Sequence, residues 1–156
     1  MEIGVALALC GAAVAVFMAC MGSAYGIFVA ADAASGVLSE DPEKFGKMLI
    51  LAALPGTQGI YGLLAGIYIM NKIQLFGDVL AVSTPVGWQL LFAALPIAFV
   101  GLVSGIAQGK TCVGSIFLVA KKPDELGKGI ILPAMVETYA VFALLASILM
   151  VNAIKI

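Results

Sequence analysis

Four long apolar runs constrain the fold of this chain more than any other feature of its sequence. They cover residues 3–34, 46–70, 88–120 and 127–151, which is 115 of the 156 residues. A bilayer core about 30 Å thick is crossed by about 20 apolar residues of helix. We therefore predict an all-α membrane protein with four transmembrane helices, spans 1 to 4, and little chain left for an extramembrane domain.

The composition supports a membrane location and argues against other classes. Hydrophobic residues make up 63% of the chain and charged residues 11%, which is far from the composition of a soluble domain. The net charge is −1 and the chain has no arginine, so a nucleic-acid surface is not expected. The three cysteines lie in apolar runs without metal-ligand spacing and are interpreted as packing residues: Cys10, Cys20 and Cys112.

Lysines are distributed unequally between the two ends of the spans. Five of them flank the segments 35–45 and 121–126, whereas only Lys72 and Lys155 lie at the opposite end. Cytoplasmic loops carry an excess of positive charge. The pattern places both lysine-rich segments in the cytoplasm and both termini outside.

The sequence of span 2 is repeated in span 4. "PEKFGKMLILAALPGTQGIYGLLAGIYIMN" (42–71) lies over "PDELGKGIILPAMVETYAVFALLASILMVN" (123–152) without a gap, and we call this alignment of Pro42 with Pro123 the repeat register. Spans 1 and 3 correspond more loosely, through "GSAYG" and "GIAQG", in a different register that aligns Gly22 with Gly105. We predict two tandem helical hairpins of parallel topology, 1–71 and 88–156, joined by an extracytoplasmic loop at 72–87.

Small residues recur at every fourth position in the odd-numbered spans. They are Gly22, Gly26 and Ala30 in span 1, and Gly101, Gly105 and Gly109 in span 3. Such stripes let helix backbones approach closely in lipid. The spacing is compatible with a helix interface within the chain and equally with a tight inner ring in an oligomer.

Span 4 contains an acid, Glu137, deep within its apolar run. An intramembrane carboxylate is costly, so it is a candidate functional residue by default; the alternative is a protonated glutamic acid that joins two helices. The duplication places Gly56 at the equivalent position of span 2. One acid therefore serves two hairpins.

Polar groups in the other spans lie at about the depth of this acid. "LPGTQGIYG" interrupts span 2, and Pro55 has no N–H to donate to the preceding turn, which loosens the backbone there. Span 3 contributes Gln108, on the same face as Gly101 and Ser104. One face of span 2 carries four residues at helical spacing: Leu54, Thr57, Gln58 and Tyr61.

This set of groups favours Na⁺ over a proton. A proton needs only a carboxyl group, whereas a dehydrated hard cation needs several oxygen ligands. Gln58 and Gln108 could instead bond only each other, and Tyr61 could be a packing aromatic or could hold the acid. Asp32 and Lys110 are expected to pair or to snorkel to water, and Pro133 to bend span 4.

These motifs resemble one family over almost the whole chain. "LPGTQGIYG", "SGIAQGK" and "MVETYA" on four duplicated spans are similar to the membrane rotor subunit, the proteolipid or K subunit, of bacterial V-type ATPases, especially the sodium-pumping ones. Tyr25 departs from the more polar residue expected on the inner surface of the ring. The resemblance implies a Na⁺ site formed by the carbonyl of Leu54 and the side chains of Thr57, Gln58, Gln108 and Glu137, with Tyr61 steadying the acid.

The resemblance also implies partners and a location. Copies of the chain would form a ring in the bacterial plasma membrane that turns when a soluble head hydrolyses ATP. A stationary membrane subunit would supply an arginine, central stalk subunits would join the ring, and no organic cofactor or nucleic acid is expected. The subunit itself would not be catalytic. Three alternatives remain: a proton-coupled rotor, a self-contained ion channel or carrier, and a purely structural oligomer.

Overall fold

The computed structural model describes residues 3–156, and in this part of the chain four helices are long and apolar enough to cross a membrane. The prediction of four transmembrane helices is confirmed. Two of the spans begin with a short 3₁₀ turn, and a third such turn interrupts span 2. In chain order the helices are α1 (Ile3–Glu40), α2 (Phe45–Ala53), α3 (Thr57–Lys72), α4 (Thr84–Lys121) and α5 (Leu126–Ala153), with 3₁₀ turns at Pro42–Lys44, Leu54–Gly56 and Pro123–Glu125.

The helix boundaries set the register of the duplication. Spans 1 and 3 are α1 (Ile3–Glu40) and α4 (Thr84–Lys121), and their C-terminal ends, Glu40 and Lys121, coincide in the repeat register. Span 2 (Pro42–Lys72) and span 4 (Pro123–Ala153) coincide in the same way. The separate register that the glycine motifs indicated for spans 1 and 3 is therefore wrong. The repeat register relates the two hairpins throughout.

The glycine motifs match because they face each other. A Cβ atom built on Gly22 would lie 2.6 Å from the Cα of Leu102, and one built on Gly105 would lie 2.6 Å from the carbonyl carbon of Gly22. Gly109 packs in the same way on Gly26. Residue numbers rise together along this contact, so α1 and α4 run parallel. The small residues thus form a close helix interface within the chain, as one of the two interpretations predicted.

The two prolines within the even-numbered spans have different effects. Pro55 is followed by Gly56, and the helix of span 2 changes there from α2 through a 3₁₀ turn to α3. Pro133 is buried inside α5, which continues across it. Loss of the N–H at Pro55 together with an adjacent glycine explains the local break in span 2.

Two apolar clusters form the core, with a polar layer between them. One cluster lies toward the 73–83 connection and includes Ile69, Leu90 and Ile97. The other lies toward Asp41 and Lys122 and includes Met48 and Ile116. Buried polar side chains occupy the layer between the clusters: Ser23, Gln58, Ser104 and Gln108.

Two lysines at the start of span 2 bind backbone carbonyls where span 3 ends and span 4 begins. The Nζ of Lys44 donates to the carbonyl of Ala120 at 2.8 Å, and the Nζ of Lys47 donates to that of Pro123 at 2.9 Å. Lys44 also hydrogen-bonds the carboxylate of Asp41, which lowers the pKa of that carboxyl. These contacts join the two hairpins at the lysine-rich end.

Asp32 and Lys110 do not form the pair that was considered for them. Both side chains are exposed, and no ion pair between them is found among the described residues, 3–156. They lie on faces of α1 and α4 that the rest of the chain leaves uncovered. The snorkelling alternative stays a prediction.

Candidate functional site

Two glutamine side chains meet at the centre of the polar layer. Gln58 on α3 and Gln108 on α4 are both 0% exposed. The Nε2 of Gln58 donates to the Oε1 of Gln108 at 2.6 Å and contacts the Oγ of Ser104 at 3.1 Å. Burial of an amide is costly unless it is hydrogen-bonded, and these contacts fix the orientation of both side chains.

Glu137 on α5 adjoins this pair. The hydroxyl of Tyr61 donates to its Oε1 at 2.6 Å, and the Nε2 of Gln108 donates to its Oε2 at 3.3 Å. The carboxyl group is only partly buried. Each carboxylate oxygen therefore accepts a hydrogen bond from a different helix, and the two bonds together hold the carboxylate in one orientation.

Thr57 and Leu54 complete the network at the 3₁₀ turn of span 2. The hydroxyl of Thr57 lies 3.2 Å from the carbonyl oxygen of Leu54 and 3.4 Å from the Oε1 of Gln58. The backbone N–H of Thr57 also bonds the Leu54 carbonyl. All six residues singled out in the sequence thus lie in one connected set of contacts, although their part in ion binding stays a prediction.

Ser104 belongs to this network and was not among the predicted site residues. It is 5% exposed, its hydroxyl donates to the carbonyl of Val136 at 3.1 Å, and it is contacted by the amide of Gln58. The signal in the sequence was its position four residues before Gln108, which places both on one face of α4. Ser104 ties α4 to α5 directly beside Glu137.

The network can offer several oxygen atoms to one cation. A backbone carbonyl, a hydroxyl, two amide carbonyls and one carboxylate converge from spans 2, 3 and 4. Across residues 3–156, no three His, Cys, Asp or Glu side chains are grouped as metal ligands. A single carboxylate among neutral oxygens balances the charge of a monovalent hard cation rather than a divalent one.

The repeat does not reproduce the site in the other hairpin. Only the threonine contact recurs: the hydroxyl of Thr138 bonds the carbonyl of Met135 at 2.8 Å, as Thr57 bonds Leu54. In the repeat register neither amide and no carboxylate recurs. Tyr139 stands for Gln58, Phe142 for Tyr61, Ile27 for Gln108 and Gly56 for Glu137. The chain therefore has one such site for four spans.

Comparisons with known proteins agree with this architecture. The family model for the C subunit of ATP synthase matches residues 10–69 and again residues 91–150, two segments that coincide in the repeat register. The V-type sodium ATPase subunit K of Enterococcus hirae is 45% identical over 95% of this chain and 92% of its own length. The A-type ATP synthase subunit K of Methanocaldococcus jannaschii is 41% identical over 85% of this chain, which spans 58% of that relative.

Proposed function

The chain belongs to the family of the ATP synthase C subunit, and on that premise we propose that it carries Na⁺ across the membrane, one ion per copy in a rotor ring. As a rotor proteolipid it is a non-catalytic membrane subunit of a rotary ATPase. The proposed ligands are the carbonyl of Leu54 and the side chains of Thr57, Gln58, Gln108 and Glu137, with Tyr61 orienting the carboxylate.

The observation that carries this proposal is the network linking Leu54 to Glu137. Its two glutamines are fully buried, so their amide groups are held beside the acid rather than in water. A protonated acid needs no such set of oxygens. Both oxygens of Glu137 lie within hydrogen-bond distance of groups on other helices, and the ionised form of the acid is the one that would pair with Na⁺.

The charge of the site explains how it could pass through lipid. One carboxylate and one monovalent cation form a neutral unit, which avoids most of the cost of a bare ion in hydrocarbon. A basic side chain on the stationary membrane subunit, an arginine by resemblance to the family, would compete for Glu137 and release the ion. Glu137 then exchanges one cationic partner for another as the ring turns.

One acid per four spans has an energetic consequence. Moving one elementary charge against 100 mV costs about 2.3 kcal/mol. Fewer carboxylates in a ring mean fewer ions per ATP, so a fixed hydrolysis energy can work against a steeper gradient. The single site in this chain thus favours pumping over ATP synthesis.

The proposal includes a location and partners. The chain would lie in the bacterial plasma membrane as a multi-pass protein, with the Lys44 and Lys122 connections in the cytoplasm and both termini outside. Besides its own copies and lipid, it would contact the stationary membrane subunit and the central stalk. The E. hirae relative, subunit K of a V-type sodium ATPase, supports assembly with other ATPase subunits.

Protection of Glu137 from a carboxyl-reactive carbodiimide tests the proposal. In purified ring at fixed pH, rising Na⁺ should slow labelling, whereas K⁺ at equal ionic strength should not. A Glu137→Gln variant should not be labelled at this position, which identifies the reacting group. Labelling that is independent of Na⁺ would overturn the sodium assignment in favour of a proton-coupled ring.

Ion flux separates the rotor from a self-contained channel or carrier. The purified ring reconstituted alone in liposomes should stay closed to Na⁺, because release requires the stationary partner. Sustained Na⁺ flux through the isolated ring would contradict the proposed mechanism.

A further inference from the structure

The surface of the chain has two apolar grooves, which we call groove A and groove B. Groove A lies mainly on α1, and groove B lies between α4 and α5. Groove A includes Ala13, Val16, Cys20, Met21 and Ala24. Groove B includes Phe99, Val100, Val103, Ala107, Val136 and Tyr139.

The counterparts of both grooves in the repeat register are covered within the chain. Those of groove A fall mainly on the face of α4 that packs against α1, and every counterpart except Leu102 is buried. Those of groove B fall on the face of the first hairpin that the second hairpin covers, and every counterpart except Met18 is buried. Each groove is therefore the exposed counterpart of a surface that is buried where the two hairpins of the chain pack together.

We infer that groove B of one copy binds groove A of the next in the register of the contact between the hairpins. Gly22 faces Leu102, and Gly26 faces Gly105, within the chain. Their counterparts across the interface between copies are Val103 against Met21, and Ala107 against Ala24. The occupant of each groove is thus a second copy of this chain, and the contacting pairs are specified.

This interface is wider than the one inside the chain. Within the chain a Cβ on Gly22 would lie 2.6 Å from the Cα of Leu102, which leaves no space for a side chain. Between copies the position of Gly22 is taken by Val103. Helices α4 and α1 must therefore stand farther apart between copies than within a copy, so the spacing between α1 and α4 alternates around the ring.

One polar contact is retained across the same interface. The Nζ of Lys47 donates to the carbonyl of Pro123, and both residues have identical counterparts, Lys128 and Pro42. Lys128 is mostly exposed in the single chain, where it pairs only with Glu125 among the residues that the structure describes. In the assembled ring the ammonium group of Lys128 binds the Pro42 carbonyl of the next copy, which continues the link between hairpins at the lysine-rich end.

Disulfide cross-linking tests the register. Within the chain a Cβ on Gly101 would lie 2.9 Å from the Cβ of Ala19; the counterpart pair between copies is Cys20 and Val100. A disulfide requires Cβ atoms about 3.5–4.5 Å apart, a separation that the wider interface allows. Val100→Cys in a Cys10→Ala background should therefore form dimers and higher oligomers on oxidation.

Two controls make this result specific. Adding Cys20→Ala to the Val100→Cys variant should abolish the covalent oligomers. Phe117→Cys in place of Val100→Cys should not produce them, because Phe117 is exposed on α4 at a different depth. If Val100→Cys does not assemble, the pair Ala24→Cys and Ala107→Cys tests the same register. Intact rings that give no covalent dimers with either pair would overturn the inference.

Ring stability tests the lysine contact separately. Lys128→Met should lower the temperature at which the ring dissociates in detergent, Lys128→Arg should largely restore it, and Lys122→Met should have little effect. An unchanged dissociation temperature in Lys128→Met would refute this contact. The inference rests on the ring assembly in the proposed function but not on Na⁺ binding. The two can fail separately: the cross-links can form while Na⁺ does not protect Glu137 from carbodiimide, and Na⁺ can protect Glu137 while the cross-links do not form.

Discussion

Replacing Tyr61 with phenylalanine isolates one hydrogen bond of the proposed site. The Tyr61 hydroxyl donates to the Oε1 of Glu137 at 2.6 Å, and the ring is only partly buried. Hydrogen bonds to charged groups contribute about 1.5–3 kcal/mol, and partial exposure reduces this to about 1–2 kcal/mol. Since about 1.4 kcal/mol is tenfold in an equilibrium constant, Na⁺ affinity should fall about 5- to 30-fold.

The half-protecting Na⁺ concentration in carbodiimide labelling of Glu137 measures this change. Tyr68→Phe is the matched control, because the Tyr68 hydroxyl donates to Asn152 between the same two helices but away from the acid. It should leave the half-protecting concentration unchanged. Equal effects of the two substitutions, or no effect of Tyr61→Phe, would refute a role of this hydroxyl in orienting the carboxylate.

Two further predictions concern the threonine ligand and the glycine interface. Thr57→Val should raise the half-protecting Na⁺ concentration about 5- to 30-fold through the loss of one oxygen ligand worth about 1–2 kcal/mol, whereas Thr138→Val, its counterpart outside the site, should not; equal shifts would contradict the ligand assignment. Gly22→Ala should destabilise the chain by about 1–3 kcal/mol, as overpacking does, since its Cβ would lie 2.5 Å from the carbonyl oxygen of Leu102. Gly36→Ala, with open space around it, should be neutral or stabilising, and thermal unfolding in detergent that did not separate these two variants would argue against the close helix contact.

Depth and helical periodicity were enough to predict which residues of the network would meet. Thr57, Gln58 and Tyr61 share a face of span 2, and distances along the chain placed Gln108 and Glu137 at the same level. Because none of these polar groups can be left without a hydrogen-bond partner in hydrocarbon, the two amides are expected to pack beside the carboxylate. The structure joins all of them through hydrogen bonds.

The register of spans 1 and 3 could not be read from the sequence in the same way. Gly22 and Gly105 are alike because each needs room for the other, not because they are equivalent positions. Close helix contacts select small residues on both partners, so complementarity in space resembles repetition in sequence. The helix boundaries and the positions of the two family matches distinguish a repeated position from a pair of residues in contact.

Ser104 shows a second limit of the sequence pattern. Serines are common in membrane helices, and although Ser104 lies four residues before Gln108, this spacing does not by itself show that its side chain reaches the acid. The hydroxyl of Ser23, its counterpart in the first hairpin, instead accepts the N–H of Gly59 at 2.8 Å. Which serine adjoins the acid depends on how α4 is rotated against α5, and that rotation is a result of packing.

Equilibrium binding of radioactive Na⁺ to the purified ring tests the central claim most directly. The site formed around Glu137 predicts saturable binding of one Na⁺ per chain, which Glu137→Gln abolishes while the ring stays assembled. Absence of saturable Na⁺ binding, or binding that persists in Glu137→Gln, would contradict the assignment of this carboxylate and its oxygen neighbours as the sodium site.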